Sequence, residues 1–170
     1  MTQPSIEPTS DEPGALDPRP VEEELQFVNF DLAGEEYLVS VDMVREIIKK
    51  ITITSIPKSS PYVEGIIDLR GSVIPIIDLR KKLGHPPVSG ELEQNIIIVE
   101  AASKLIGLVV DGVREVIRTS AKKIESKPSI HKSTENYLTG VLQRQDRLLI
   151  VLDIGALFKE SDMWEIANGT

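Results

Sequence analysis

Four aspartates fall into two corresponding pairs, and paired carboxylates are the residues of this chain best suited to acid–base work. Asp42 and Asp111 each sit in a VD-x-VRE motif, whereas Asp78 and Asp153 each follow an apolar run and precede a short helical pattern. A carboxylate between a strand and a helical turn also suits an N-cap, and capping accounts for all four without catalysis. His85 lies in a Gly-His-Pro-Pro stretch and His131 in a lysine-bearing loop, and neither has a second ligand at metal-binding spacing. The run GIIDLRG from Gly65 to Gly71 lacks the lysine and hydroxyl of a phosphate loop, and no serine stands in a nucleophile elbow. Cysteine is absent, so thiol nucleophiles, thiolate metal sites and disulfides are excluded together. Nothing here calls for a metal or a cofactor, and catalysis would lack almost all of its usual equipment.

Arg70 stands apart because the chain repeats itself. Tyr62 to Leu83 aligns without a gap on Tyr137 to Phe158 at a constant offset of 75, and Phe27 to Ile48 aligns on Ile96 to Ile117 at an offset of 69. Positions common to both copies are expected to serve folding. Exposed positions peculiar to one copy are free for function, and Arg70 and Gly71, opposite Gln145 and Asp146, are of that kind. An arginine at a tight tip offers a planar donor fork for carboxylates, and a neighbouring glycine tolerates positive φ and close approach of another backbone. Two roles fit Arg70, an internal ion pair with Glu46 and contact with a partner, and they are compatible. Pro75, opposite Ile150, cannot donate to a ladder, which predicts an edge or a bulge at that strand.

The elements that must carry these residues are short. Phe27 to Leu32 and Tyr37 to Val41 read as a hairpin around Ala33-Gly34-Glu35-Glu36, and the spacing of Val41, Val44 and Ile48 predicts a short helix or turn from Met43 to Ile48 behind an Asp42 cap. Ile51, Ile53 and Ile56 alternate as a further strand. Gly65 to Leu69 and Val73 to Ile77 flank the turn Leu69-Arg70-Gly71-Ser72, and Asp78 caps a final turn ended by Gly84. Each copy thus has about five short strands and two helical turns, which predicts an all-β-dominated fold of two pseudo-symmetric small barrels. The expected divisions are a disordered proline- and acid-rich tail over 1–24, a first barrel lobe over 25–84, a linker over 85–93, a second lobe over 94–160 and a C-terminal tail over 161–170. Trp164, the sole tryptophan, is expected to pack a C-terminal turn on the second barrel.

A chain of 170 residues buries roughly 70% of its unfolded surface, enough for a real core. Its net charge of −8 opposes contact with phosphate backbones, so nucleic acid is not an expected partner, and the lysines from Thr119 to Asn136 read as a solvated loop. No apolar stretch approaches the ~18 residues of a membrane span, so no direct membrane insertion is expected.

The motifs GEEYLVSVDMVREI (Gly34 to Ile47), P-x-x-x-P-Y-V-x-G-I-I-D-L-R-G-S-V-I-P-I-I-D-L-R (Pro57 to Arg80), LIGLVVDGVREV (Leu105 to Val116) and YLTGV (Tyr137 to Val141) occur in this order. In them the chain resembles the CheW family of bacterial chemotaxis coupling proteins. The resemblance implies two SH3-like five-stranded barrels and a non-enzymatic adaptor. It would join the histidine kinase CheA, through its regulatory domain, to the cytoplasmic tip of methyl-accepting receptors, in the cytoplasm at membrane receptor arrays. Carried over by position, the coupling residues would be Val44, Glu46, Gly65, Arg70, Val73 and Val116, with Gly71 beside the arginine. Asp68 stands where the family often has asparagine. A coupler of the same fold serving gliding, pili or development is the alternative, and an enzyme built on the aspartate pairs a third. The resemblance further predicts that Gly65→Asp weakens coupling with little loss of fold.

Overall fold

The computed structural model describes residues 23–57, 60–126 and 137–158. Eleven strands run in the order β1 Glu24–Leu32, β2 Glu35–Ser40, β3 Val44–Lys49, β4 Val63–Leu69, β5 Ser72–Asp78, β6 Asn95–Ala101, β7 Lys104–Val110, β8 Gly112–Ser120, β9 Ile124–Ser126, β10 Leu138–Arg144 and β11 Arg147–Leu152. One-turn helices α1 (Leu79–Lys82) and α2 (Ile154–Leu157) follow β5 and β11, and 3₁₀ turns occupy Val41–Met43 and Ala121–Lys123.

Four hairpins share one tip geometry. Ala33-Gly34, Arg70-Gly71, Ala102-Ser103 and Gln145-Asp146 are two-residue loops whose residues all have positive φ. This is the type I′ turn, whose twist matches that of the flanking strands. The Asp146 φ of +66° shows that the turn does not itself require glycine at position 71.

The strands form two sheets, β8-β1-β2-β11-β10-β9 and β3-β6-β7-β5-β4. Each closes towards a barrel through its own chain. β8 leads through one 3₁₀ turn into β9, which pairs with β10 at the far end of the first sheet. In the second sheet the segment after β3 returns to pair Thr54 with Ile66 of β4. The expected strand from Ile51 to Ile56 is reduced to that single bridge.

The sheets do not divide the chain as its repeats do. β1 and β2 belong to the first copy but lie in the sheet of β8 to β11, and β6 and β7 lie with β3, β4 and β5. A split into lobes 25–84 and 94–160 therefore cuts both barrels. The copies exchange hairpins through two equivalent parallel pairings, Leu149–Val151 with Glu36–Leu38 and Ile76–Asp78 with Gly107–Val109. Two crossovers, at Val41–Met43 and at Asp111, carry the chain from one sheet to the other.

Exchange explains the near-continuous apolar runs, because the central strands are buried on both faces. Ile96 and Ile98 face the core of one barrel, whereas Ile97 and Val99 face a cluster lying between the barrels. Leu38, Leu149 and Val151 fill the other barrel, and Tyr37, Val39 and Leu152 turn to the shared cluster. Among the described residues the shared cluster holds 18 buried residues against six in each barrel core. The barrels therefore depend on one another for most of their burial.

Three local expectations fail for identifiable reasons. Met43 to Ile48 is not helical beyond the 3₁₀ turn: Val44–Lys49 is a strand, with exposure alternating at period two. The helix-like spacing of Val41, Val44 and Ile48 arises because the crossover aims Val41 and Val44 at the shared cluster and Ile48 at a barrel core. Pro75 lies in the interior strand β5 rather than at an edge, while the alternative of a bulge is met nearby, in the β4–β5 register shift between Val63 and Gly65 opposite Ile77 and Ile76. It is tolerated because Ile66 opposite directs its N–H and C=O to Thr54, and the ladder with β7 begins only at Ile76. Thr119 to Ser126 is β8, a 3₁₀ turn and β9 rather than loop. Lys127, His131, Lys132, Trp164, the C-terminal tail over 161–170 and residues 1–22 of the tail expected over 1–24 lie outside the described residues, whereas Glu24, expected in that disordered tail, already opens β1 and pairs with Ser120.

Candidate functional site

The aspartates resolve into different roles. Asp78 Oδ1 accepts from Lys81 N at 3.4 Å and Asp153 Oδ1 from Ala156 N at 3.2 Å, so these two cap α1 and α2 as expected. Asp42 and Asp111 are not caps. At the first crossover Ser40 Oγ accepts from Asp42 N, leaving the Asp42 side chain exposed. Asp111 is part-buried against Arg80, with Nη2 at 2.6 Å from Oδ2 and Nε at 3.1 Å from Oδ1, and it also accepts from Ala33 N. Burial pushes the Asp111 carboxyl up, but the bonds from Arg80 and Ala33 and the arginine charge outweigh it and hold the group below its ordinary value. His85 Nε2 shares a 2.8 Å hydrogen bond with Tyr37 Oη, which also donates to Glu35 Oε1.

Arg70 sits at the β4–β5 tip with 69% of its side chain exposed. Its Nη1 donates to Glu46 Oε2 at 3.2 Å and its Nη2 to Oε1, so the fork grips the carboxylate with both arms. The guanidinium holds the Glu46 carboxyl below its usual value through that hydrogen bond. Glu46 belongs to β3 and Arg70 to the tip beside β4, the two end strands of the sheet, so the pair spans the barrel seam. Asp68 Oδ1 accepts from Gly71 N at 3.0 Å and braces the tip. Gly71 leaves open space above the turn, since a Cβ there would meet nothing within 4 Å.

An open groove of about 550 Å³ lies beside this pair, lined by Glu46, Leu69, Arg70, Ser72, Ile98 and Leu105 among others. Val73 follows the tip and is 63% exposed. Val44 is half-buried against the shared cluster. Val116 is exposed, but it lies on β8 of the other sheet. Glu46, Arg70, Gly71 and Val73 therefore lie at or beside one tip of the same sheet, with Val73 on the side of β5 opposite the groove-lining Ser72 and Ile74, whereas Val116 belongs to the other sheet.

Gly65 has a different character. A Cβ there would fall 2.0 Å from Thr54 O, and its φ is +150°. Gly140, its equivalent, would bring a Cβ to 2.6 Å from Glu125 O. Glycine is present in both copies because a returning backbone passes directly over it. The expectation that Gly65→Asp spares the fold is not supported.

Two exposed apolar residues escaped sequence reasoning. Ile47 is the offset-69 equivalent of Val116, and Leu148 is the offset-75 equivalent of Val73. Each barrel thus exposes the same two apolar positions. The signal was in the alignment, but shared apolar positions were assigned to the core.

A family model described as a CheW-like domain matches residues 26–162. The chain belongs to the CheW-like family. It is 36% identical over 138 residues to the chemotaxis protein CheW of Bacillus subtilis, covering 80% of this chain and 88% of that protein. The chemotaxis protein CheW of Klebsiella aerogenes is 34% identical over 145 residues, covering 84% of this chain and 87% of its own length. The crystal structure of the scaffolding protein TtCheW from Thermoanaerobacter tengcongensis superposes with a TM-score of 0.75 at 34% identity, covering 82% of this chain and 96% of that one. The two SH3-like barrels are thus the CheW-like fold, and the function is that of a chemotaxis scaffold. No helix among the described residues is long and apolar enough to cross a membrane.

Proposed function

We propose that this CheW-like chain is a non-catalytic, cytoplasmic adaptor that holds the regulatory domain of the histidine kinase CheA and the cytoplasmic tip of methyl-accepting receptors in one array. The observation that carries the reading is an exposed Arg70–Glu46 pair standing beside an open groove and next to the exposed Val73. Apolar surface supplies contact area, and the fork supplies orientation, because a guanidinium presents several donors in a fixed plane. An interface of about 800 Å² on each partner, with a central arginine as anchor, suffices for specific binding.

Within this proposal Glu46, Arg70, Gly71 and Val73 contact a partner directly. Val44 and Gly65 shape the face from beneath, and Val116 marks a second face on the opposite barrel. Two like faces on one small protein suit a link in a repeating assembly. The alternative of an array for gliding, pili or development has no observation in its favour, since the relatives named above carry chemotaxis names.

The test is co-sedimentation of the full chain with the kinase regulatory domain and a receptor-tip fragment. Arg70→Ala is expected to weaken at least one of these contacts by about tenfold or more while the melting temperature stays unchanged. Full binding and undiminished receptor-dependent kinase activation in Arg70→Ala would remove the pair from the site.

A further inference from the structure

The two crossovers are equivalent in the repeat, yet only one is filled. At Asp111 the space is taken by Arg80, whose Nη1 also donates to Pro86 O at 2.8 Å, so the guanidinium and the segment after α1 close over the carboxylate. Asp42 occupies the matching crossover at the offset of 69, and Gly155 occupies the Arg80 position at the offset of 75. No side chain reaches out from α2 to meet Asp42. Among the described residues its hydrogen bonds engage the backbone alone, the N–H donating to Ser40 Oγ and the C=O accepting from Arg45 Nη1.

What remains is an open groove of about 690 Å³ at one end of the barrel of β8 to β11, β1 and β2. Buried Phe27, Val151 and Ile154 line it together with exposed Glu23, Glu24 and Asp42. It is apart from the Arg70 groove, which lies on the other sheet. A Cβ on Gly155 would meet only Asp153 Oδ1, at 3.4 Å, so the backbone leaves room for a side chain to start there. The chain's own N-terminal segment is a poor occupant on charge, because residues 1–22 carry Glu7, Asp11, Glu12, Asp17 and Glu22 against Arg19 alone.

We propose that this groove receives an arginine-bearing peptide segment of a partner protein, its guanidinium on Asp42 as that of Arg80 is on Asp111 and its apolar residues against Phe27 and Ile154. The inference rests on charge complementarity and on an occupant the chain itself supplies at the twin position, and it is independent of the coupling site.

The probe is a capped synthetic peptide copying residues 78–87, titrated into the isotope-labelled full chain and followed by amide shifts and fluorescence anisotropy. Saturable shifts are expected at Phe27, Asp42 and Ile154. The peptide with Arg80→Ala, and the protein with Asp42→Asn, should each bind about tenfold more weakly or worse, as expected for loss of a charge-assisted fork. Gly155→Arg should fill the groove in cis and abolish binding. Asp42 is exposed, so Asp42→Asn remains decisive even if Gly155→Arg fails to fold. Absence of saturable shifts, or equal affinity for wild type and Asp42→Asn, overturns the proposal. Tighter binding of a peptide of residues 1–22, or Asp42-dependent self-association on sizing, would assign the groove to another occupant and overturn it equally.

Discussion

At the β4–β5 tip the arginine is the first residue of the turn, and at the β10–β11 tip it stands two positions later, just past the turn. Arg70 is 69% exposed and among the described residues holds Glu46 alone, whereas Arg147 is 32% exposed and bonds Glu36 with Nη2 at 2.6 Å and Nε at 3.0 Å. Arg147 also lies 3.6 Å from Glu115, the equivalent of Glu46. The same carboxylate thus has a guanidinium neighbour in both copies. What differs is whether that guanidinium is committed to the interior side of the sheet or left at its rim. Nearby, Arg45 to Glu100 and Arg114 to Asp31 are equivalent ion pairs at 2.8 and 2.9 Å, and these belong to the repeat itself. Two residues of displacement along a hairpin turn an internal clamp into a surface available to others.

The strongest way to sharpen this contrast is at the glycines beneath the tips. Gly65→Ala is expected to cost more than about 3 kcal/mol, because backbone must move from a 2.0 Å overlap at positive φ. Gly140→Ala, with its 2.6 Å approach, should cost less, and chemical denaturation orders the two. An equal or reversed order would break the equivalence of the closures. Next comes Asp111→Ala, which leaves the part-buried Arg80 charge without its carboxylate and should cost about 2 kcal/mol, against almost none for Asp42→Ala at the open crossover.

The tips themselves are compared by Arg70→Ala and Arg147→Ala. The first should lose partner binding at unchanged melting temperature, and the second should lower the melting temperature and leave partner binding nearly intact. Acid titration separates them further. Hydrogen bonding from Arg147 holds the Glu36 carboxyl at about 2 against an ordinary 4.5. A depressed carboxyl stabilises the fold above its unfolded value, and that contribution fades as pH falls from about 4.5 towards about 2. Arg147→Ala should flatten this part of the stability–pH curve, and an unchanged slope would show that Glu36 is not the group responsible. The smallest stability effects are expected from Val73→Ser and Leu148→Ser, each within about 0.5 kcal/mol in thermal melts. A loss of partner contact in Val73→Ser alone would mark the first barrel's face as the dominant one. Equal losses would show that both faces are used.

Much of this was legible from residues alone. Type I′ tips follow from two-residue loops between β-rich runs, and the α1 and α2 caps follow from aspartates placed just before short helical patterns. Arg70 was recognisable as a position the fold does not demand, and its pairing with Glu46 was one of the two roles it allowed. Gly65 was misjudged because a close backbone approach, Thr54 O over its α-carbon, is a long-range event with no local signature. The helix expected at Met43 to Ile48 failed because one chain segment faces two different cores across a crossover, which imitates helical spacing.

By itself the sequence determined that there are two like units, which positions they share and the turn chemistry at their tips, since all of these are local or follow from internal alignment. Tertiary structure decided which copy contributes each strand to each barrel. It also decided which of two equivalent aspartates is held by an arginine and which apolar residues remain outside. The physical reason is that period-two patterning specifies which residues are buried but not against what. A strand buried on both faces reads the same whichever sheet it joins, and only hairpin exchange around the shared cluster selects the partner.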